Sequence, residues 1–341
     1  MPINPQKERF IQADRGKEDV TSLLEGIREN NHAVLARAIT LIESSNAKHR
    51  ALASNLIDAC IGLGKKSKVL GITGTPGVGK STFIEAFGAH LIEKGNKIAV
   101  LAIDPSSSLT KGSILGDKTR MNELSRSKQA FVRPSPSSGS LGGVARATRE
   151  TIFLLEAAEY DWVLIETVGV GQSETHMVSM VDFFLTLLQP NAGDELQGIK
   201  RGIIELSDLI VINKAEEHNR SLSLLSQQQY QSALHLFPPR KSGWSPEVLL
   251  CSSIEKTGIP EIEENILSFY RKTDLSGFLQ QQRADQNLFW FEESIRFQLS
   301  ELIEQKESLI RLRDELRLSI RQGEISPLGA SRKLMDAVLN S

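Results

Sequence analysis

The sequence predicts an α/β fold, a mostly parallel sheet flanked by helices, and two observations lead there. Six short apolar runs (KVLGIT, KIAVLAI, DWVLIE, DFFLTLL, DLIVIN and EVLLCS) lie between residues 68 and 252, separated by stretches of helical character. Continuous runs of Val, Ile and Leu are what strands require when helices cover both faces of their sheet. The second observation is a change of period at each end, where apolar residues recur at helical intervals before residue 62 and after residue 275.

Taken in order, Leu23, Leu24 and Ile27 lead into Val34, Leu35, Ala38, Ile39 and Ile42, and a second run follows through Leu52, Leu56, Ile57 and Ile61. This spacing predicts a helical pair ahead of the sheet. Beyond residue 275, Ile295, Leu299, Leu302, Leu309, Leu316 and Ile320 recur near heptad spacing along one long charged helix. Gly323 can end that helix, and Ser326-Pro327 can open another as N-cap and first helical residue. The stripe can pack on the parent domain or form a dimer seam. The organisation read from these periods is an N-terminal helical extension over 1–62, a central α/β domain over 63–275 and a C-terminal helical arm over 276–341.

Composition narrows the function classes. The chain has 341 residues, 40% of them apolar, with a net charge of -2, so no basic surface points to nucleic acid. Cys60 and Cys251 stand far apart without a CxxC neighbour, which argues against a disulfide framework or a zinc knuckle and for two small buried hydrophobes. The N-terminus lacks the apolar run of a signal peptide, and no stretch of about 18 apolar residues occurs. A cytoplasmic protein that neither enters a membrane nor binds nucleic acid is expected.

The stretch GITGTPGVGKSTF carries the first chemistry. Gly74, Gly79, Lys80 and Ser81 fit G-x-x-x-x-G-K-[ST], with Thr75, Pro76, Gly77 and Val78 between them and Thr82 after. In this P-loop, backbone N–H groups wrap phosphates, the lysine reaches the terminal ones and the hydroxyl holds Mg2+. It follows a predicted strand and opens a predicted helix, the context its mechanism demands, and so makes the fold a P-loop NTPase.

The base and the metal are read from later strand ends. DLIVIN runs into Asn213-Lys214-Ala215-Glu216, close to the N-K-x-D by which GTPases read guanine, with Glu216 one methylene longer than the usual aspartate. Its carboxylate can accept from the guanine N1–H and 2-amino group, an arrangement adenine cannot match. Ser252 and Ser253 stand where a small-residue loop approaches the base. Two other strands end at Asp104 and Glu166, and in an open parallel sheet such ends converge on the ligand crevice. Each is a helix cap or an Mg2+ ligand, and their place beside a P-loop favours the metal. Glu166-x-x-Gly169 departs from D-x-x-G, whose glycine N–H senses the γ-phosphate. Val170 falls where Ras-like proteins carry a water-orienting glutamine, so slow intrinsic hydrolysis is expected.

From about Asn31 to its end the chain resembles the MeaB/ArgK GTPases, which accompany adenosylcobalamin-dependent methylmalonyl-CoA mutase and related acyl-CoA mutases. The residues that carry the resemblance are GTPGVGKST, AIDPSSSLTKGSILGDKTRM, ETVGVGQSE, GDELQGIKRGI and SPLGASRKL. The resemblance implies bound GTP or GDP, with Asp104 and a second acidic residue, Asp117, joining Ser81 and Glu166 in holding Mg2+ and organising the attacking water. Lys80, Asp104, Asp117 and Glu166 are thus the expected catalytic set. Arg120, on the same segment, contacts nucleotide or partner, or is a surface arginine. Asp194 to Lys200 reads as a helix start by its charges and as a switch by the resemblance alone. The resemblance also implies a homodimer built on the C-terminal helices and a mutase partner.

Two rivals follow from related labels. A kinase or ATPase serving periplasmic arginine and ornithine transport would need an acceptor site, and no catalytic-loop motif provides one. A nickel-enzyme maturation GTPase would need Cys/His clusters, absent from six scattered histidines and two cysteines.

Overall fold

The computed structural model describes residues 19–44, 46–103, 121–135, 141–167, 173–190 and 201–340. The chain divides into two compact units, Met1–Arg283 and Ala284–Ser341.

Among the described residues the first unit opens with three helices where the periodicity predicts a pair: α1 (Val20–Arg28), α2 (His32–Glu43) and α3 (Ala47–Cys60). Asn30, at φ 55°, breaks the run that reads as one helix, and Asn31 and Asn46 cap the helices that follow, Asn31 accepting from the Ala33 and Val34 N–H groups and Asn46 from the Lys48 N–H. The sheet follows as β1 (Lys68–Gly74), β2 (Ile98–Ile103), β3 (Ala130–Ser135), β4 (Trp162–Thr167), β5 (Phe183–Leu188), β6 (Leu209–Ile212) and β7 (Glu247–Leu250). Between the strands lie α4 (Lys80–Glu93), α5 (Asn122–Arg126), α6 (Leu141–Ala157), α7 (Ser173–Val178), α8 (Arg201–Leu206) and α9 (Arg220–Leu234), and α10 (Ile259–Leu275) follows β7.

The seven strands found among the described residues are all parallel, in the order β3-β2-β4-β1-β5-β6-β7. The six apolar runs are all strands. The seventh, β3, carries Arg133 and Pro134 in its middle, a composition that speaks against a strand, yet it lies at the sheet edge where a missing N–H breaks no second ladder. Its outer face is secured by Arg133, whose guanidinium donates to Ala36 O (3.2 Å) and pairs with Glu43 on α2.

Alternation along β6 shows why both faces must be covered. Leu209 and Val211 join Phe83, Phe87, Phe183 and Phe269 in the core under α4 and α10, while Ile210 and Ile212 join Ile204, Tyr230 and Leu234 under α8 and α9. Each such fully buried side chain stabilises by about 1.5–3 kcal/mol. Cys60 and Cys251 are buried as expected, and burial pushes their thiols up to about 11 and about 12, so neither is a reactive thiolate.

The amino edge of the sheet is locked by charge. Asp182, 2% exposed, accepts from Val69 N (3.0 Å) and Tyr270 Oη (3.0 Å) and forms a two-pronged pair with Arg283. The carboxyl edge carries the loops described below.

In the second unit the stretch expected as one helix is divided. The helix Phe278–Gln305 (α11) stops at Lys306, which is extended at φ -93° and ψ 116°, and Glu307–Arg321 (α12) follows. Gly323, at φ 75°, lies beyond the end of α12, and Ser326 caps α13 (Pro327–Leu339) by accepting from Gly329 N at 3.1 Å. Ile295, Leu299 and Leu302 remain 38–42% exposed along α11.

Candidate functional site

Register places three loops at one edge. Because β1 lies between β4 and β5, Ile72 pairs with Glu166 and Gly74 with Leu187, so the chain leaving β1 turns beside the end of β4. The turn is glycine-dependent at defined places. A Cβ on Gly74 would sit 2.5 Å from Leu187 O, and one on Gly79, at φ 98°, would sit 2.7 Å from Asn213 Nδ2. Gly79 also brings no side chain to the N-terminus of α4, so the first-turn N–H groups are left for another acceptor. Gly79→Ala is expected to lower folding stability by about 1–3 kcal/mol from strain at positive φ and to weaken GDP binding; denaturant unfolding and GDP titration check this, and parental values in both contradict it.

Lys80 is buried, and its Nζ arches back to donate to Gly74 O (2.7 Å) and Thr75 O (3.2 Å). Burial lowers its pKa from the ordinary lysine value, and the Glu166 charge opposes that fall. Ser81, the next residue, donates from Oγ to Glu166 Oε1 at 3.2 Å. The hydroxyl and the carboxylate predicted to share a metal therefore meet. Below them Thr167 Oγ1 donates to Thr73 Oγ1 at 3.2 Å, tying β4 to β1.

The base side is equally connected. Asn213 is buried at 2% exposure; its Nδ2 donates to Val78 O (2.9 Å), and its Oδ1 accepts from Ser253 N (3.2 Å) and Ser253 Oγ (2.7 Å). One amide thus holds the phosphate loop and the loop after β7 together. Lys214, held at φ 59°, donates to Gly77 O (2.7 Å) and Gln189 Oε1 (3.4 Å). Glu216 Oε1 accepts from Ser252 Oγ at 2.7 Å, which fixes one oxygen of the longer carboxylate.

The structure therefore gathers Gly74, Thr75, Gly77, Val78, Gly79, Lys80, Ser81 and Glu166 at one end of the crevice and Asn213, Lys214, Glu216, Ser252 and Ser253 at the other. Pro76 and Thr82 lie exposed on the same loop and helix. Asp104, Asp117, Arg120, Gly169 and the segment 193–200 lie outside the described residues. Two contributors escape the sequence reading. The Ser253 hydroxyl bonds the Asn213 side chain, whereas the sequence reading expected that loop to approach the base, and Gln189 enters only because β5 ends beside β6; its position right after an apolar run was the available signal. Among the described residues no three or more His, Cys, Asp or Glu side chains are gathered as a metal site. No helix among them is long and apolar enough to cross a membrane.

Residues 35–308 match the family described as Methylmalonyl Co-A mutase-associated GTPase MeaB. The chain is 46% identical over 312 residues to GTPase ArgK of Escherichia coli (strain K12), covering 92% of this chain and 94% of that protein. It is 42% identical over 335 residues to the mitochondrial Methylmalonic aciduria type A homolog of Mus musculus, covering 95% and 81%. A crystal structure described as LAO/AO transport system kinase superposes with a TM-score of 0.73 at 37% identity, covering 99% of this chain and all of that one. A phosphate loop, a guanine-type strand end and these matches lead to one conclusion: the chain is a GTP-hydrolysing member of the MeaB/ArgK family of P-loop GTPases.

Proposed function

We propose that this GTPase is Mg2+-dependent and acts as a G-protein chaperone for an adenosylcobalamin-dependent acyl-CoA mutase of the methylmalonyl-CoA type, gating cofactor loading and protection. The observation that carries the hydrolytic part is the meeting of Ser81 and Glu166 beside Lys80 at the edge that also holds Asn213 and Glu216. The partner is supported by the family's description and by the relatives named for methylmalonic aciduria.

The donor set fits magnesium, since a hydroxyl and a carboxylate are hard oxygen ligands. Ser81 and Glu166 would hold the ion, with Asp104 and Asp117 completing its surroundings directly or through water. When bound, the metal neutralises charge on the phosphates. Lys80 and the first-turn N–H groups of α4 orient the β- and γ-phosphates and stabilise charge as the terminal phosphoryl group leaves. Glu166 and Asp117 organise the attacking water, and Gly169 presents its N–H to the γ-phosphate. Glu216, steadied by Ser252, accepts from the guanine edge, while the Ser253 loop approaches the base. The switch segments then bias a two-state interface, so the nucleotide alters partner affinity as a coupling free energy.

The protein works in the cytoplasm as a homodimer on its C-terminal arm, 276–341, and the exposed stripe of Ile295, Leu299 and Leu302 supports that seam. The nucleotide domain is 63–275, and 1–62 is an extension of it.

With Mg2+ present, GTP should be hydrolysed with a kcat/KM at least about tenfold above that for ATP, because adenine leaves Glu216 without donors; equal rates would contradict the guanine assignment. A second reading has the similarity to the LAO/AO transport system kinase behind it. Under that reading, label from γ-labelled nucleotide would appear on a periplasmic binding protein, whereas a GTPase releases it as free phosphate.

A further inference from the structure

The pairing of β1 with β4 stops short of the phosphate loop. β1 stays in register with β5 as far as Gly74, but with β4 only as far as Ile72, opposite Glu166. One side-chain bond carries the tie a residue further. Thr167 Oγ1 donates to Thr73 Oγ1 at 3.2 Å, and the two threonines are 2% and 0% exposed. Each is the chain neighbour of a site residue. Thr167 follows Glu166, and Thr73 precedes Gly74, whose carbonyl accepts from Lys80 Nζ at 2.7 Å. Alternation along β4 puts Thr167 on the face opposite Glu166, the residue that accepts from Ser81. Burying two hydroxyls costs desolvation that two valines of the same shape would avoid, so the pair is a costly way merely to fill the core.

We infer that Thr73 and Thr167 are positioning residues for GTP hydrolysis. Their bond resists a roll of the β4 end about its own axis, and so fixes the Glu166 carboxylate against Ser81 and the phosphate loop. The inference rests on the reading of Glu166 as a Mg2+ ligand and hydrolytic residue. Were the bond only a part of the core, its loss would cost stability and leave the nucleotide chemistry of the folded protein unchanged.

Full-length Thr73→Val, Thr167→Val, the double variant Thr73→Val/Thr167→Val, Thr73→Ser and Glu166→Gln separate these cases. Denaturant midpoint, GTP turnover and the factor by which Mg2+ tightens GDP binding are measured for each. A single valine deprives one buried hydroxyl of this partner and should lower the midpoint, whereas the double variant removes both and should recover toward the parent. Its turnover should not recover. In the double variant kcat should lie about fivefold below the parent, with Mg2+-free GDP affinity within about twofold and the gain from Mg2+ reduced about threefold. The single valine variants, assayed below their midpoints, should show the same losses. Thr73→Ser keeps the acceptor oxygen and should retain at least about half the parental kcat. Parental kcat in the valine variants beside a slow Glu166→Gln removes the threonine pair alone, as does a fall in kcat with the Mg2+ gain unchanged or with an equal fall in Mg2+-free affinity. Parental turnover in Glu166→Gln fails the reading of Glu166 itself and the inference with it.

Discussion

Lys80→Ala is expected to lower kcat/KM for GTP by about 10³-fold, the loss that follows removal of a preorganised charge from a phosphoryl-transfer site. The ammonium is buried between the carbonyls of Gly74 and Thr75, and burial already lowers its pKa. Truncation therefore relieves the desolvation of a charge while leaving two carbonyls without that donor, two opposing effects on folding. Stability should change far less than activity, and the loss should appear in both nucleotide affinity and turnover, because the charge faces phosphate in the ground state as well as the transition state. Steady-state kinetics, GDP titration and a melting curve on the same sample check this. Lys80→Arg is not a rescue, since a planar fork cannot occupy the place of a compact ammonium in a loop this tight. A Lys80→Ala protein within about fivefold of the parent would take the lysine out of the phosphate site.

Glu166→Gln should lower kcat by about 10²-fold with a much smaller change in GDP affinity. The substitution preserves an oxygen to accept the Ser81 hydroxyl, so the contact between α4 and β4 is retained while the charge is lost. Two further readouts follow. The Mg2+ concentration for half-maximal activity should rise, because a neutral amide is a poorer ligand for a hard cation. The alkaline limb of the kcat/KM profile should also move to lower pH. The sign follows from the Glu166 charge, which raises the Lys80 pKa against the lowering by burial; without it, Lys80 releases its proton at lower pH. An unchanged magnesium requirement together with unchanged kcat would place Glu166 outside the reaction.

The fold was legible in proportion to how far each element is set by its own residues. The β6 run, LIVI, is buried on both faces, and its composition says so. The β3 run, AFVRPS, contains a proline that only an edge position tolerates, and edge position is a property of the whole sheet. The break at Lys306 has no glycine or proline to announce it, so the heptad pattern ran through. Asn30, which separates α1 from α2, was a legible signal, because asparagine visits positive φ more readily than most residues.

The site divides in the same way. A P-loop is a contiguous cradle of backbone N–H groups, so its sequence nearly specifies its geometry. The bond from Asn213 to Val78 spans 135 residues and those from Ser253 to Asn213 span 40, distances over which only strand register brings partners together. Glu85, whose Oε1 accepts from the Glu123 and Leu124 backbone N–H groups of α5, was invisible for the same reason, since nothing in its own helix marks it as the cap of another. Asp104 was legible as the end of a strand that converges on the crevice, whereas the role of Asp117 came from resemblance alone.

If the nucleotide state is coupled to a mutase, GTP and GDP give this protein different affinities for that partner. The most direct measurement is the affinity of this protein for a purified adenosylcobalamin-dependent methylmalonyl-CoA mutase, taken once with a non-hydrolysable GTP analogue and Mg2+ and once with GDP. The two affinities should differ by at least about fivefold, a coupling of roughly 1 kcal/mol or more, and the difference should disappear in Lys80→Ala. Equal affinities in the two nucleotide states, or no complex in either, would contradict the coupling.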